Sequence, residues 1–253
     1  MRIEGSSAFV TGGGSGLGEA TARMLAKLGA IVHIFDRNGE AAEKVAKDIG
    51  GVALAGDVTS EDDASRALNI AAKAGDGLRI LVNCAGIGTA GRILSKGGPM
   101  PLGDFEKVIR INLIGTFNMM RLAAERMSQA PEREDKARGV IVNTASVAAF
   151  EGQIGQAAYA ASKGGIVSLA LPAAREFSRF GIRVNTVAPG IFLTPLLYEL
   201  PEEAQQNLAA AIPYPSRLGD PSEFSDAVRF LIENQYINGE VIRLDGALRM
   251  QPR

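Results

Sequence analysis

Apolar and polar positions along the chain fall into two alternating rhythms. Short runs rich in β-branched residues at 8–11, 31–35, 52–55, 80–83, 140–144, 183–187 and 241–244 predict strands. Several are almost continuously apolar, the pattern of strands covered on both faces. Segments of helical period lie between them at 16–28, 40–49, 61–73, 104–127, 159–180 and 222–232. Ser60 with Asp63 resembles a capping box, and Asp220 sets a cap residue ahead of first-turn Pro221. Pro172 falls inside a helical pattern and predicts a kink or a local break. Strand–helix alternation of this kind predicts an α/β fold with parallel strands joined by right-handed crossovers. The expected architecture is a Rossmann-like, doubly wound, seven-stranded parallel sheet in one domain over residues 1–253. No composition break or internal repeat divides the chain.

Two segments interrupt the rhythm. Residues 86–103 are rich in glycine and hold Pro99 and Pro101, so they read as a loop after the fourth strand. Residues 189–215 carry an apolar cluster (Ile191, Phe192, Leu193, Leu196, Leu197 and Leu200) without a clear strand or helix pattern. Both would leave the carboxyl edge of the sheet, where open α/β sheets bind ligands. The second is expected to be a substrate loop, at about 190–215.

Composition narrows the function. Of 253 residues, 46% are hydrophobic and 22% charged, which favours a folded chain over disorder. A net charge of −1 gives no reason to expect nucleic acid or an anionic membrane as partner. No apolar run reaches the length of a bilayer span, and a strand-like segment follows a short polar start, so no secretory leader is expected. A single cysteine, Cys84, excludes an internal disulfide and suits a reducing, cytoplasmic setting. The single histidine, His33, lies in a strand, which argues against a Ser-His-Asp triad or a histidine-rich metal site. Cys84 has no base nearby in sequence and reads as a small packed residue. The run Glu61-Asp62-Asp63 reads as the acidic first turn of a helix.

Three motifs carry candidate chemistry. Thr11-Gly12-Gly13-Gly14-Ser15-Gly16-Leu17-Gly18 follows the first strand and opens the first helix. Glycines there let the backbone approach a pyrophosphate, whose charge meets free N–H groups and the helix dipole. Asp36 ends the second strand, about 20 residues on. A carboxylate in that place accepts hydrogen bonds from an adenosine ribose and repels a 2′-phosphate, which favours NAD over NADP. An ordinary turn aspartate would look the same, and the neighbouring Arg37 keeps NADP open. The third is Tyr159-Ala160-Ala161-Ser162-Lys163. Side chains at i and i+4 share a helix face, so the ammonium is expected to favour the phenolate, lower the phenol's pKa and make it a usable base. Such a pair also arises by chance on helices. Its weight comes from Ser146, which would stand at the same sheet edge and hydrogen-bond a reacting oxygen.

Together, the glycine turn, Asp57-Val58, Asn83-Cys84-Ala85-Gly86, Asn112, Ser146, Tyr159 with Lys163, and Pro189-Gly190 resemble the signature set of the short-chain dehydrogenase/reductase family. They run in family order along nearly the whole chain. The resemblance implies a nicotinamide dinucleotide held by Gly12, Ser15, Gly16, Leu17 and Gly18, with Asp36 at the ribose and Asp57 and Val58 at the adenine. Asn83, Cys84, Ala85, Gly86, Pro189, Gly190, Phe192 and Thr194 would complete the cofactor cleft. Tyr159 would be the general acid/base, Lys163 would tune it and hold the nicotinamide ribose, Ser146 would orient the substrate oxygen, and Asn112 would anchor a water relay. Stretches 143–153, 215–221, 238–247 and 249–252, with Pro172, are similar to the type 2 3-hydroxyacyl-CoA dehydrogenase subfamily. That likeness implies NAD-dependent oxidation of a (3S)-hydroxyacyl-CoA or similar apolar small molecule, Gln153 as a substrate contact, and a homotetramer. A 3-oxoacyl-carrier-protein reductase using NADPH and a hydroxysteroid or secondary-alcohol dehydrogenase stay open as alternatives. So does a dinucleotide-binding scaffold or redox sensor, although such a module has no need of Ser146, Tyr159 and Lys163.

Overall fold

The computed structural model describes residues 1–198 and 201–252. In chain order its first half runs β1 (Ser7–Thr11), α1 (Gly16–Lys27), β2 (Ile31–Asp36), α2 (Gly39–Ile49), β3 (Val52–Ala55), α3 (Glu61–Ala71) and β4 (Leu78–Asn83). A small hairpin, β5 (Leu94–Ser95) with β6 (Gly98–Pro99), precedes α4 (Leu102–Ile109) and α5 (Gly115–Ser128). The second half holds β7 (Gly139–Thr144), α6 (Ala157–Ser178), β8 (Ile182–Pro189), α7 (Pro195–Tyr198), α8 (Glu202–Ala210), α9 (Pro221–Glu233) and β9 (Val241–Leu244). All seven expected strands and all six expected helices form.

The seven long strands make one parallel sheet in the order β3-β2-β1-β4-β7-β8-β9. The order reverses beside β1, so the loops after β1 and β4 part and open a crevice at the carboxyl edge. Every residue of β1, β4 and β7 is buried, as continuous apolar runs require. Alternate side chains feed two cores. Ala8 and Val10 pack with Leu25, Val45 and Phe224, whereas Phe9 packs with Phe35, Leu68 and Met120 on the other face. His33 lies in this interior with a ring nitrogen 3.3 Å from the Ala8 carbonyl, and burial lowers its pKa. It is a packed neutral residue. Among the described residues no helix is long and apolar enough to cross a membrane.

Several expectations are corrected. The helix expected over 104–127 is interrupted by a π-turn at Arg110–Ile114, where one extra residue per turn swings Asn112 into the interior. α6 runs unbroken through Pro172. Pro172 and Ser168 are both exposed, so the carbonyl that loses its N–H partner stands on the outer face of the helix. The Ser60 box is half made. Its hydroxyl accepts the Asp63 N–H at 3.2 Å, but the Asp63 carboxylate accepts the Asp57 N–H at 3.1 Å instead of returning to Ser60. The stretch 86–103 is loop except for its hairpin and its last two residues, which open α4. The stretch 189–215, read as patternless, contains α7 and α8. No residue of α8 is buried, so it has no apolar stripe to read; Glu202 and Glu203 at its first turn suit the helix dipole instead. Leu200 of the apolar cluster lies outside the described residues.

The cap at Asp220 forms in full. Asp220 accepts the Ser222 N–H at 2.8 Å, and Glu223 returns to the Asp220 N–H at 2.8 Å while gripping Arg217 with both carboxylate oxygens. The Arg217 hydrogen bonds, then the backbone N–H, hold the Glu223 carboxyl down to about 2 from 4.5. A depressed carboxyl contributes stability above its unfolded value and loses it as pH falls through the folded one. Glu223→Gln is therefore expected to lower the thermal midpoint by about 2–4 °C at pH 7. In circular-dichroism melts that difference should shrink steadily below about pH 4.5.

Candidate active site

The glycine turn joins β1 to α1 and needs its glycines for space as well as for backbone freedom. Gly12 has φ 64°, and a Cβ there would come within 2.8 Å of the Ala85 backbone. A Cβ on Gly18 would collide with the Gly12 carbonyl oxygen. Ser15 is the N-cap of α1 and makes no side-chain capping bond, so the first-turn N–H groups are left for a ligand. Asp36 folds over the turn: one carboxylate oxygen accepts the Gly14 N–H at 3.0 Å, the other the Asn38 N–H at 2.9 Å. Thr11 accepts the N–H groups of Cys84 and Ala85, both at 3.2 Å, and so ties the turn after β4 to β1.

These elements wall a cleft of about 700 Å³, within the usual size of small-molecule sites. Its lining includes Gly12, Ser15, Gly16, Leu17, Gly18, Asp36, Asp57, Val58, Cys84, Ala85 and Gly86 from the expected set. Ser146, Tyr159, Lys163, Pro189, Gly190, Phe192 and Thr194 join them from the second half of the chain. Three expected residues stand elsewhere. Asn83 is buried behind the lining, where its amide donates to Asn143 at 2.9 Å and couples β4 to β7. Asn112 sits beneath Gly86, accepting the Ile87 N–H at 2.8 Å and donating to the Ile87 carbonyl at 2.9 Å and to Ser162 at 3.1 Å. Gln153 lies just outside the lining, donating to the Gln251 carbonyl at 2.9 Å and accepting at 3.4 Å from Gln156, which lines the cleft. Gln156 stands three residues ahead of Tyr159 and Gln153 six, and neither spacing tells which side chain reaches the cleft.

Lys163 and Tyr159 do share a helix face. The Lys163 Nζ is 5.8 Å from the centre of the Tyr159 ring and donates to the Thr144 carbonyl at 2.8 Å. Ser146 caps a short turn after β7 and accepts the Ala148 N–H at 3.2 Å, and its hydroxyl stands near enough to Tyr159 to favour the phenolate. The charge logic differs from expectation. Burial, not the lysine, dominates the phenol and raises its pKa, and the Ser146 hydrogen bond opposes it. Burial also brings the Lys163 ammonium down to about 8, so it gives up its charge at a lower pH than the buried phenol ionises. Cys84 lines the same cleft as an inert thiol, pushed by burial up to about 11.

The model of short chain dehydrogenases matches residues 6–205. The chain belongs to the short-chain dehydrogenase family. It is 52% identical to the 3-hydroxyacyl-CoA dehydrogenase type-2 of Bos taurus, over 99% of this chain and 97% of that one. With the same-named protein of Drosophila melanogaster it shares 51% identity over 99% and 100% of the two chains. A crystal structure of 3-hydroxyacyl-CoA dehydrogenase type-2 from Mycobacterium avium superimposes with a TM-score of 0.96 at 47% identity, covering 100% of this chain and 99% of that chain. This dehydrogenase accordingly uses a nicotinamide dinucleotide, and the glycine cradle, the uncapped helix start and the cleft fit one.

A lysine lowered by burial costs stability while it is charged. That cost is full below about pH 8 and is relieved as pH rises from there toward 10.5, the reverse of the paired-cation case. Lys163→Met is expected to raise the thermal midpoint by a few degrees at pH 7 and to abolish turnover. Melts at pH 7 and above pH 10 should show the gain shrinking at the higher value.

Proposed function

We propose that this short-chain dehydrogenase oxidises the 3-hydroxyl of a (3S)-hydroxyacyl-CoA to a ketone, using NAD, with Tyr159 as general base. The observation that carries the reading is the meeting of Ser146, Tyr159 and Lys163 on one wall of a cleft whose opposite wall is the glycine turn. The names of the relatives supply the substrate class.

Gly12, Ser15, Gly16, Leu17 and Gly18 would cradle the pyrophosphate, Asp36 the adenosine ribose, and Asp57 and Val58 the adenine. Cys84, Ala85, Gly86, Pro189, Gly190, Phe192 and Thr194 would complete the cofactor's walls, with Asn83 bracing them from behind. When bound, the oxidised dinucleotide supplies a positive ring that favours the phenolate and takes up the hydride from the carbinol carbon. Tyr159 takes the hydroxyl proton as the C–H bond breaks and the carbonyl forms. Ser146 would hold the reacting oxygen and steady its alkoxide character, because it lines the same cleft beside Tyr159. Lys163 would hold the nicotinamide ribose and return charge to the site once an anion stands beside it. Asn112, bonded to Ile87 and Ser162, would orient the route by which that proton leaves. Gln156, rather than Gln153, offers the substrate side of the cleft a polar group.

NAD is supported by the Asp36 carboxylate, which the Gly14 N–H holds where a 2′-phosphate would be repelled. Arg37 also lines the cleft, so the carrier-protein reductase remains the reading to test against. The CoA moiety finds support at the hairpin. The chain leaves the cleft at Gly88 and enters β5–β6, where Arg92 and Lys96 are exposed and without ion pairs among the described residues. Lys107 of α4 borders the same hollow as Arg92, of about 550 Å³. Loops 86–103 and 190–215 would form the substrate end. A homotetramer in a reducing, cytoplasmic setting completes the reading; exposed Ile114 and Phe117, three residues apart on one helix face, support assembly, and the single cysteine supports the setting.

Tyr159→Phe is expected to keep dinucleotide affinity and to lose about 10²–10⁴-fold in turnover, followed by nicotinamide absorbance with acetoacetyl-CoA. Normal turnover in that variant would remove Tyr159 from its role, and a strong preference for NADPH over NADH would replace the substrate reading with the carrier-protein reductase. Arg92→Ser with Lys96→Ser should raise KM for the CoA thioester about three- to tenfold at low salt. The KM for an uncharged N-acetylcysteamine thioester should stay put; an equal rise for both would place the CoA phosphates elsewhere.

A further inference from the structure

Behind the cleft, at the carboxyl end of β9, stands a charge network that the chemistry above does not use. The Arg243 guanidinium meets both carboxylate oxygens of Glu151, at 2.7 and 2.9 Å, in a two-pronged contact. Its Nε donates to Asp245 at 2.8 Å, an Nη donates to the Leu248 carbonyl at 3.1 Å, and its plane lies 5.0 Å from the centre of the Phe150 ring. Arg243 and Glu151 expose only 22% and 25% of their side chains, so solvent screens this pair less than the surface pairs elsewhere on the chain.

The two carboxylates belong to opposite halves of the site. Glu151 closes the short segment that begins at Ser146. Asp245 backs the cofactor wall: a Cβ on Gly190 would come within 2.9 Å of the Asp245 Cβ, and the Gly190 N–H donates to the Leu244 carbonyl at 2.9 Å. The chain after β9 then lies along the same segment, with the Gln251 carbonyl on Gln153 and the Pro252 carbonyl on the Ile154 N–H at 3.1 Å.

We propose that Arg243 is a positioning residue for the oxidation, fixing the Ser146 segment through Glu151 against the Gly190 wall through Asp245. The proposal rests on the roles given above to Ser146 and Tyr159. Loss of the fork lets Ser146 drift from Tyr159, and drift of about 1 Å at a reacting group costs about 10²-fold in rate. The phenol then loses the hydrogen bond that opposes its burial, so the rising limb of the turnover–pH profile moves to higher pH.

The test compares Arg243→Gln, Arg243→Lys, Glu151→Gln and the double Arg243→Gln/Glu151→Gln with Ser146→Ala and Tyr159→Phe in the full-length enzyme. Kcat against pH, KM and NADH affinity by fluorescence are measured for each. Arg243→Gln and Glu151→Gln should each lower kcat about 10–100-fold, lower NADH affinity far less, and shift the rising limb in the direction of Ser146→Ala. The double should lose less than the product of the two singles, since both remove the same fork, although Arg243 also releases Asp245 and Glu151 also releases Arg249. Arg243→Lys, which keeps the charge but not the fork, should recover part of kcat and also serves if Arg243→Gln does not fold. Normal kcat and an unmoved pH limb in the folded variants, or losses that multiply in the double, would overturn the proposal. An active Tyr159→Phe enzyme would instead overturn the catalytic reading, and the proposal with it.

Discussion

An ammonium group removed from water gives up several kcal/mol of hydration, and a fold that buries one has to surround it with polar atoms in fixed places. Lys163 is 95% covered, since only 5% of it is exposed, and its pKa falls to about 8. The carbonyl that receives its proton belongs to Thr144, the last residue of β7. Together with the packing of α6 against β8 and the turn after β7, this contact holds α6 at the sheet edge, where Tyr159, one turn earlier, comes near Ser146, which follows β7 by two residues. Burial makes the phenol harder to ionise in such surroundings. A further positive charge beside it would favour the phenolate, and the family's oxidised cofactor carries one.

Topology explains why the partners converge from distant parts of the chain. β1, β4, β7 and β8 end side by side at the carboxyl edge, so Thr11, Asn83, Asn143 and Thr186 stand at neighbouring positions across the sheet. The side chains of the first three stitch the strand ends, Thr11 to the turn after β4 and Asn83 to Asn143, with no reacting group among them. The π-turn repeats that economy from the helix side. By holding Ile87 at both its N–H and its carbonyl, Asn112 makes the backbone of the loop after β4 part of the wall.

The seven strands and six main helices were legible because each shows its burial in its apolar rhythm. The glycine turn and the tyrosine–lysine spacing were legible because their chemistry is local. What periodicity could not show is whatever a residue does through a distant partner. α8 has no buried face and so left no stripe. The π-turn changes the register by one residue, which an apolar count over 104–127 averages away. Gln153 and Gln156 look alike in sequence, and only the chain near Gln251 decides which one faces the cleft. The weight of burial on Tyr159 escaped the spacing for the same reason: spacing gives proximity, whereas desolvation depends on everything packed around both groups.

The two halves of the cleft are therefore built by different means. On the cofactor side, backbone atoms do the recognising. Glycines at 12 and 18 leave no room for side chains, and an uncapped helix start offers N–H groups to whichever pyrophosphate arrives. Such a wall tolerates little change and reads easily. On the substrate side, the wall is a series of side chains and short helices held by contacts over long sequence separations: Glu151 with Arg243, Gln153 with Gln251, Ile154 with Pro252. Those contacts can be exchanged without touching the sheet. Differences in substrate between proteins of this fold can accumulate there, while the strand ends beneath keep the phenol, the hydroxyl and the ammonium in register.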